Sequence, residues 1–301
     1  MVEAERHLIE GGINPESLMD EAGLGIANAV SQFFPQPGTL FVFVGHGHNG
    51  GDALVAARHL KARGWITELK FATSINNLKP LTSKKLHEFE KEPARPNRLY
   101  DSGQKLPLIS IDGLLGIGAS GDLRPGYLEL AIEINSLRDN YHAVTFSLDI
   151  PSGLDGKSGN AYEGAVVADF TLTIAYPKTG LLRDNSINYV GRLVLINLPN
   201  IYPLPGQGDH DAFLINSFSL GGFLNKSLHD AHKGINGHVG IIGGNQGMIG
   251  ASVLSGIAAL KGGAGLVTII AREDMYSLIA SISPPEIMIV PVKSYTEVNE
   301  M

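Results

Sequence analysis

The sequence contains no cysteine, which excludes a disulfide framework and thiolate metal ligands and is compatible with a reducing cytoplasm. No apolar run approaches the roughly 20 residues of a membrane span. The opening residues, MVEAERHLIEGG, lack the apolar core of a signal peptide. Basic charge is also scarce: 23 Lys and Arg stand against 30 Asp and Glu, for a net charge of −7 and a pI near 5.8. Such a balance offers no field for nucleic acid, and no block of like charge suggests an interaction tail. A membrane and nucleic acid are therefore unexpected partners, and the cytoplasm is the expected location. What remains is a 301-residue chain, 44% hydrophobic and 18% charged, long enough for one good core and the beginning of a second.

Residues 39–63, TLFVFVGHGHNGGDALVAARHLKAR, organise the chain. Residues 40–44 read as a buried strand, and residues 52–63 place Leu54, Val55, Ala57 and Leu60 at near-helical spacing. Between them, Gly45, Gly47, Gly50 and Gly51 let the backbone turn sharply and approach a ligand, while a helix start offers N–H groups to anything negative. Gly45, Gly47 and Gly50 also satisfy G-x-G-x-x-G, so a dinucleotide-dependent oxidoreductase is one reading. Asp52 opposes it, being a carboxylate expected at the first helical turn, where a pyrophosphate would need the N–H groups. The structural alternative for Asp52 is a helix N-cap. Glu68, about 20 residues beyond the loop, falls inside the strand expected over 65–72, a poor place to hold a ribose.

Upstream, residues 3–10 read as a short helix. Asn14-Pro15-Glu16 then caps an amphipathic one, with Leu18, Ala22, Ile26, Ala29 and Phe33 on one face and Pro35 to Gly38 stopping it. Residues 80–100 suggest a surface helix and a connection. Downstream, a strand over 108–111 delivers Asp112 to GLLGIGASGDLRPG, and a strand over 143–150 delivers Asp149 to PSGLDG. Ligands of open α/β sheets bind beyond the carboxyl ends of strands, so these strand ends and the glycine loop define one candidate crevice. The bland reading of each carboxylate is a turn-forming or capping Asp. Asn49, Asp112 and Ser152 together offer an amide oxygen, a carboxylate and a hydroxyl, a set suited to a weakly held hard cation rather than to zinc or copper. A strand over 168–175 leads to Tyr176-Pro177-Lys178, where Lys178 either faces the site to balance a phosphate or, more commonly for lysine, points to solvent. Residues 192–197 complete the sheet.

Residues 199–211, PNIYPLPGQGDHD, read as a linker. The expected division is a first domain over 1–205, a linker over 206–230 and a second α/β segment over 231–301, with strands at 238–242 and 266–270 and a helix at 251–261.

The loop GHGHNGGDA resembles the G-x-G-N-N-G-G-D-G signature of the NAD(P)H-hydrate epimerase family, the YjeF N-terminal domain. His48 stands at its first asparagine and Ala53 at its last glycine. SLMDEAG resembles the family's LMExAG opening, residues 112–118 its D-x-L-x-G-x-G loop, LDIPSGLDGKSG its D-x-P-S-G-L-D segment, and residues 171–181 its T-L-T…K-x-G-L ending. The resemblance implies a Rossmann-like three-layer α/β sandwich that interconverts the R and S hydrates of NADH and NADPH, usually as a homodimer. It also implies potassium held by Asn49, Asp112 and Ser152 with backbone carbonyls. By the same likeness His48, Asn49, Gly50, Gly51 and Asp52, then Gly116, Ile117, Gly118, Ala119, Ser120, Gly121 and Asp122, and Asp149 line the substrate, with Asp149 the candidate acid–base group.

His232-Lys233-Gly234, HVGIIGGNQGMIGA and GGAGLVTI resemble the start of the ADP-dependent NAD(P)H-hydrate dehydratase domain, which is ribokinase-like. The later K-G-x-x-T and glycine-aspartate segments have no counterpart before Met301. The expectation is thus an incomplete domain without dehydratase activity of its own, ADP belonging only to a complete one. The rival to an enzyme is a non-catalytic nucleotide-binding or scaffold module, a role that degenerate relatives of this domain take.

Overall fold

The computed structural model describes residues 12–95, 106–198, 215 and 232–300, the side chains of 299–300 excepted. The helix expected over 3–10, and all of the linker expected over 206–230 except Ile215, lie outside the described residues. The chain divides into two compact units, residues 1–209 and 210–301. Elements are numbered over the described residues.

In the first unit, Asn14 caps helix α1 (Pro15–Phe33), its side chain accepting from the Glu16 amide at 2.9 Å. Proline at N1 has no N–H to leave unpaired, so the helix starts where the sequence suggests. Strand β1 (Thr39–Val44) feeds α2 (His48–Ala62), followed by β2 (Ile66–Phe71), α3 (Pro80–Lys91), β3 (Leu108–Gly113) and α4 (Pro125–Tyr141). Then come β4 (Val144–Leu148), β5 (Phe170–Ile174), the single turn α5 (Ile187–Val190) and β6 (Arg192–Ile196). The strands form one parallel sheet in the order β2-β1-β3-β4-β5-β6.

The period of two along β1 assigns the layers. Leu40, Val42 and Val44 pack with α1, α2 and α3 through Ile26, Leu54, Leu60, Leu86 and Phe89. Phe43 faces the other way, onto Leu123, Tyr127, Ala131 and Ile134 at α4 and the segment before it. Helices thus cover both faces, as an all-parallel sheet requires. The chain runs from β1 out to β2 and returns past β1 to β3, so the topology switches between β1 and β3, where α/β sheets open a ligand crevice.

Helix α2 begins at His48, four residues before the expected Asp52, and its N-cap is Gly47. Asp52 is therefore inside the helix and the N-cap reading of it is wrong. Gly50 and Gly51 fall inside the helix, where it lies too close to its neighbours for side chains. A Cβ on Gly50 would collide with the Gly45 carbonyl, and one on Gly51 with the Met19 side chain. Likewise β3 runs through Asp112 rather than ending before it.

The second unit holds β7 (His238–Ile242), α6 (Ile249–Lys261), β8 (Leu266–Arg272), α7 (Tyr276–Ile282) and β9 (Ile287–Val292). Its strands are parallel in sequence order. Val253, Val267, Ile269, Ile279 and Ile287 form its core. Gly256 allows α6 to lie against Ile241, Val267 and Ile287, where a Cβ would meet all three. Among the described residues no helix is long and apolar enough to cross a membrane.

Candidate functional site

Three chain segments meet at the switch point. Asp112, wholly buried near the end of β3, accepts from the Leu114 amide at 3.3 Å and the Ser152 hydroxyl at 2.6 Å through Oδ1. Its Oδ2 accepts from the Ser147 hydroxyl and the Ser152 amide, each at 2.8 Å. Burial pushes the Asp112 carboxyl above its usual range, while the bonds from Ser152, Ser147 and Leu114 pull the other way. Ser152 Oγ in turn accepts from the Leu115 amide at 3.0 Å. From the other side, Asn49 in the first turn of α2 donates its Nδ2 to the Leu115 carbonyl at 2.8 Å.

The Asn49 and Ser152 side chains therefore meet on the backbone of Leu115, and Asp112 joins them through Ser152 and the neighbouring Leu114 amide. Their donor set is an amide oxygen, a carboxylate, a hydroxyl and nearby carbonyls: hard oxygens without nitrogen or sulfur, as a monovalent or alkaline-earth cation prefers. Glycine makes the approach possible. A Cβ on Gly45 would strike the Leu114 carbonyl, and one on Gly113 would strike the side chain of Ala53.

Beside this cluster opens a cavity of about 680 Å³, within the range of small-molecule sites. His48, Asn49, Asp52, the loop Gly116 to Asp122 and Asp149 line it. Gly50 and Gly51 do not; they are buried in the helix behind it, so their part is to seat α2 rather than to form the wall. His48 is exposed at the opening, and partial burial together with the Lys79 ammonium holds its imidazole below the usual histidine range.

The sequence reading missed several lining groups. Lys79, Arg124, His46 and Tyr127 all border the cavity. His46 Nδ1 lies 2.8 Å from the Tyr127 hydroxyl, which also accepts from the His46 amide at 3.3 Å. Tyr127 comes from α4, 81 positions away in sequence, and no local pattern links the two.

Asp149 follows β4 in a left-handed conformation, φ 65°. Its Oδ1 is ion-paired with Lys178. Lys178 is only 5% exposed and is absent from the cavity wall. The solvent-facing expectation for this lysine is thus wrong, and its place behind Asp149 also sets it apart from any phosphate in the cavity. Glu68 sits on the edge strand β2, exposed and 3.6 Å from Lys70, away from the crevice.

The first unit is a doubly covered parallel α/β fold with a hard-oxygen cluster and a cavity at its switch point. The family model for the YjeF-related protein N-terminus matches residues 15–180, and the chain belongs to that family. A second model, for NAD(P)H-hydrate dehydratase, matches residues 239–300. The bifunctional NAD(P)H-hydrate repair enzyme of Coxiella burnetii is 32% identical over 286 residues, 94% of this chain and 57% of that protein. The enzyme of the same name from Archaeoglobus fulgidus is 34% identical over 276 residues, covering 91% of this chain and 54% of that one. That of Leishmania braziliensis is 32% identical over 296 residues, covering 94% and 51%. The chain thus spans about half the length of these relatives. The crystal structure of yeast YNL200c shares the fold, with TM-score 0.50, 24% identity, and coverage of 62% of this chain and 82% of that one.

Proposed function

We propose that the first unit interconverts the R and S hydrates of NADH and NADPH, a repair step for damaged nicotinamide nucleotides. The observation that carries this reading is the adjacency of the Asn49, Asp112 and Ser152 oxygen cluster to a cavity bordered by Asp149. The family membership and the relatives' printed activity support it. The cluster suits potassium, held by those three residues with backbone carbonyls. When bound there, a cation would supply positive charge beside the substrate.

Epimerisation at C6 of the hydrated ring needs a group that takes and returns one proton. On this reading Asp149, on the cavity wall and ion-paired with Lys178, is that group. In the ring-opening route, Asp149 takes the proton of the C6 hydroxyl while the C6–N1 bond breaks, leaving an aldehyde at C6 and the electron pair on N1. N1 then adds to the other face of the carbonyl and the proton returns to oxygen, so nothing is consumed. The lining residues hold the rest of the nucleotide during the reversal.

On this reading ADP belongs only to a complete dehydratase domain, and residues 231–301 do not dehydrate by themselves; ADP-dependent turnover by the purified chain would overturn that part. The oxidoreductase alternative is weakened by Glu68, which lies on an edge strand away from the cavity. A non-catalytic module is the remaining rival. The test is the rate of R-to-S interconversion of NADPH hydrate, with and without potassium, against the uncatalysed rate. Potassium-dependent acceleration supports the proposal; no acceleration in either condition favours the binding module.

A further inference from the structure

Strands β4 and β5 end in the same way, and one lysine closes both ends. After β4, Asp149 has φ 65°, and after β5, Ala175 has φ 59°. Neither residue is glycine, so both occupy a region that side chains disfavour by about 1 kcal/mol or more. Each break is followed by a tight return: the Ile150 amide donates to the Leu148 carbonyl and the Tyr176 amide to the Ile174 carbonyl, both at 2.7 Å. The breaks are tied sideways as well, Asp149 N–H donating to Leu172 O and Ala175 N–H to Ile196 O at 2.9 Å.

Lys178 emerges just past the second break and folds back across both. Its Nζ donates to the Ile174 carbonyl at 3.1 Å and the Thr173 hydroxyl at 3.2 Å, and pairs with Asp149 Oδ1. Three acceptors satisfy the three N–H bonds of the buried ammonium. The Ile174 amide reaches the same Asp149 Oδ1 at 3.4 Å. Both contacts fall on one carboxylate oxygen; among the described residues none is made to Oδ2.

We propose that Lys178 is the positioning residue of the site: it holds Asp149 by Oδ1, across the two left-handed strand ends, so that Oδ2 faces the reacting ring. This deepens the epimerase reading and rests on it for the identity of the ring. It explains why a lysine is buried behind the cavity rather than in its wall. Removing the ammonium frees the carboxylate to turn, and a misaligned base loses rate while the nucleotide still binds.

The test is a double-mutant cycle in the full chain, combining Lys178→Met with Asp149→Asn, and adding Lys178→Arg. Lys178→Met is expected to lower kcat about 100-fold, the scale of one positioned acid–base group, with KM changed less than about threefold. In the Asp149→Asn background it should cost nothing further, since both residues act through one carboxylate. Lys178→Arg, which keeps the charge, should recover part of kcat. Losses that multiply in the double variant, or an unchanged kcat in Lys178→Met, would overturn the proposal. Because Lys178→Met leaves Asp149 buried without its partner and so threatens folding, the charge-balanced double variant serves as the folding control. Crystal structures of the wild type and of Lys178→Met, with Lys178→Gln as a second removal of the charge, give a readout independent of turnover. If the wild type does not accelerate interconversion, the epimerase reading fails by itself. The positioning inference then stands if the Asp149 carboxylate turns when the Lys178 charge is removed and falls if it keeps its place.

Discussion

Ser152 grips both oxygens of Asp112, its amide donating to Oδ2 at 2.8 Å and its hydroxyl to Oδ1 at 2.6 Å. One residue from the loop after β4 thereby fixes the plane of a carboxylate on β3. Ser152→Ala removes the hydroxyl bond and, under the proposed potassium site, one cation ligand. Without potassium the variant should lose about 1–2 kcal/mol, the cost of an unmade bond to a buried charged group. A thermal melt should show the wild type gaining stability from potassium chloride over sodium chloride, because a ligand that binds only the folded state stabilises it. Ser152→Ala should lose that gain. An equal potassium shift in both proteins would remove Ser152 from the cation site.

Gly45 and Gly50 are predicted to be intolerant for a steric reason. Alanine at Gly45 drives a methyl into the Leu114 carbonyl, and alanine at Gly50 drives one into the Gly45 carbonyl. Backbone cannot move aside as a flexible side chain can, so each should cost about 3 kcal/mol or more in urea unfolding. Gly118→Ala is the control. Nothing lies within 4 Å of its added methyl, and stability should stay within about 0.5 kcal/mol.

The frame around α2 carries its own prediction. Lys85 on α3 is 2% exposed and lies 2.9 Å from Glu16 and 2.8 Å from Asp20 on α1, and 3.1 Å from Glu88 on its own helix. Its removal by Lys85→Met should destabilise by about 1–2 kcal/mol, a modest loss because the carboxylates still reach water. Hydrogen bonds from Lys84 and Lys85 hold the Glu16 carboxyl below its usual range. A depressed carboxyl stabilises the fold above its unfolded value and loses that contribution as pH falls through the folded one. Burial opposes the charge on Lys85, but bonds to Asp20, Glu16 and Glu88 outweigh it and raise its pKa. That contribution is full below the ordinary lysine range and fades as pH rises through the folded value. The difference in melting temperature between wild type and Lys85→Met should be greatest near neutrality and shrink below about pH 4. A constant difference down to pH 3 would refute the pairing.

His48 occupies the position where the family pattern has asparagine, at the mouth of the cavity beside Lys79. An amide there has two donors and two acceptor lone pairs where a neutral imidazole has one of each, and the change should gain about one hydrogen bond. His48→Asn is expected to lower KM about fivefold, equivalent to roughly 1 kcal/mol, with kcat little changed. A raised KM would mean that the imidazole itself makes the better contact.

The local elements were legible because local periodicity and caps produce them. Asn14-Pro15 starts α1, alternation and β-branching mark β1 and β7, and the apolar runs mark the strands that carry Asp112 near the end of β3 and Asp149 just past β4. The oxygen set of Asn49, Asp112 and Ser152 was legible too, since donor chemistry is carried by residue type. Tertiary contact decided the rest. Asp52 lies inside the helix and not at its cap because the helix starts at His48, with Gly50 and Gly51 in its closely packed first turn, where a propensity argument reads glycine as loop. Tyr127 met His46 through the path of α4. Lys178 turned inward because two left-handed strand ends leave acceptors that an ammonium can satisfy at once. The type and order of the elements belong to the sequence, whose patterns act over a few residues. The buried ion pair and the walls of the cavity belong to the fold, because they require groups far apart in the chain to share one low-dielectric place.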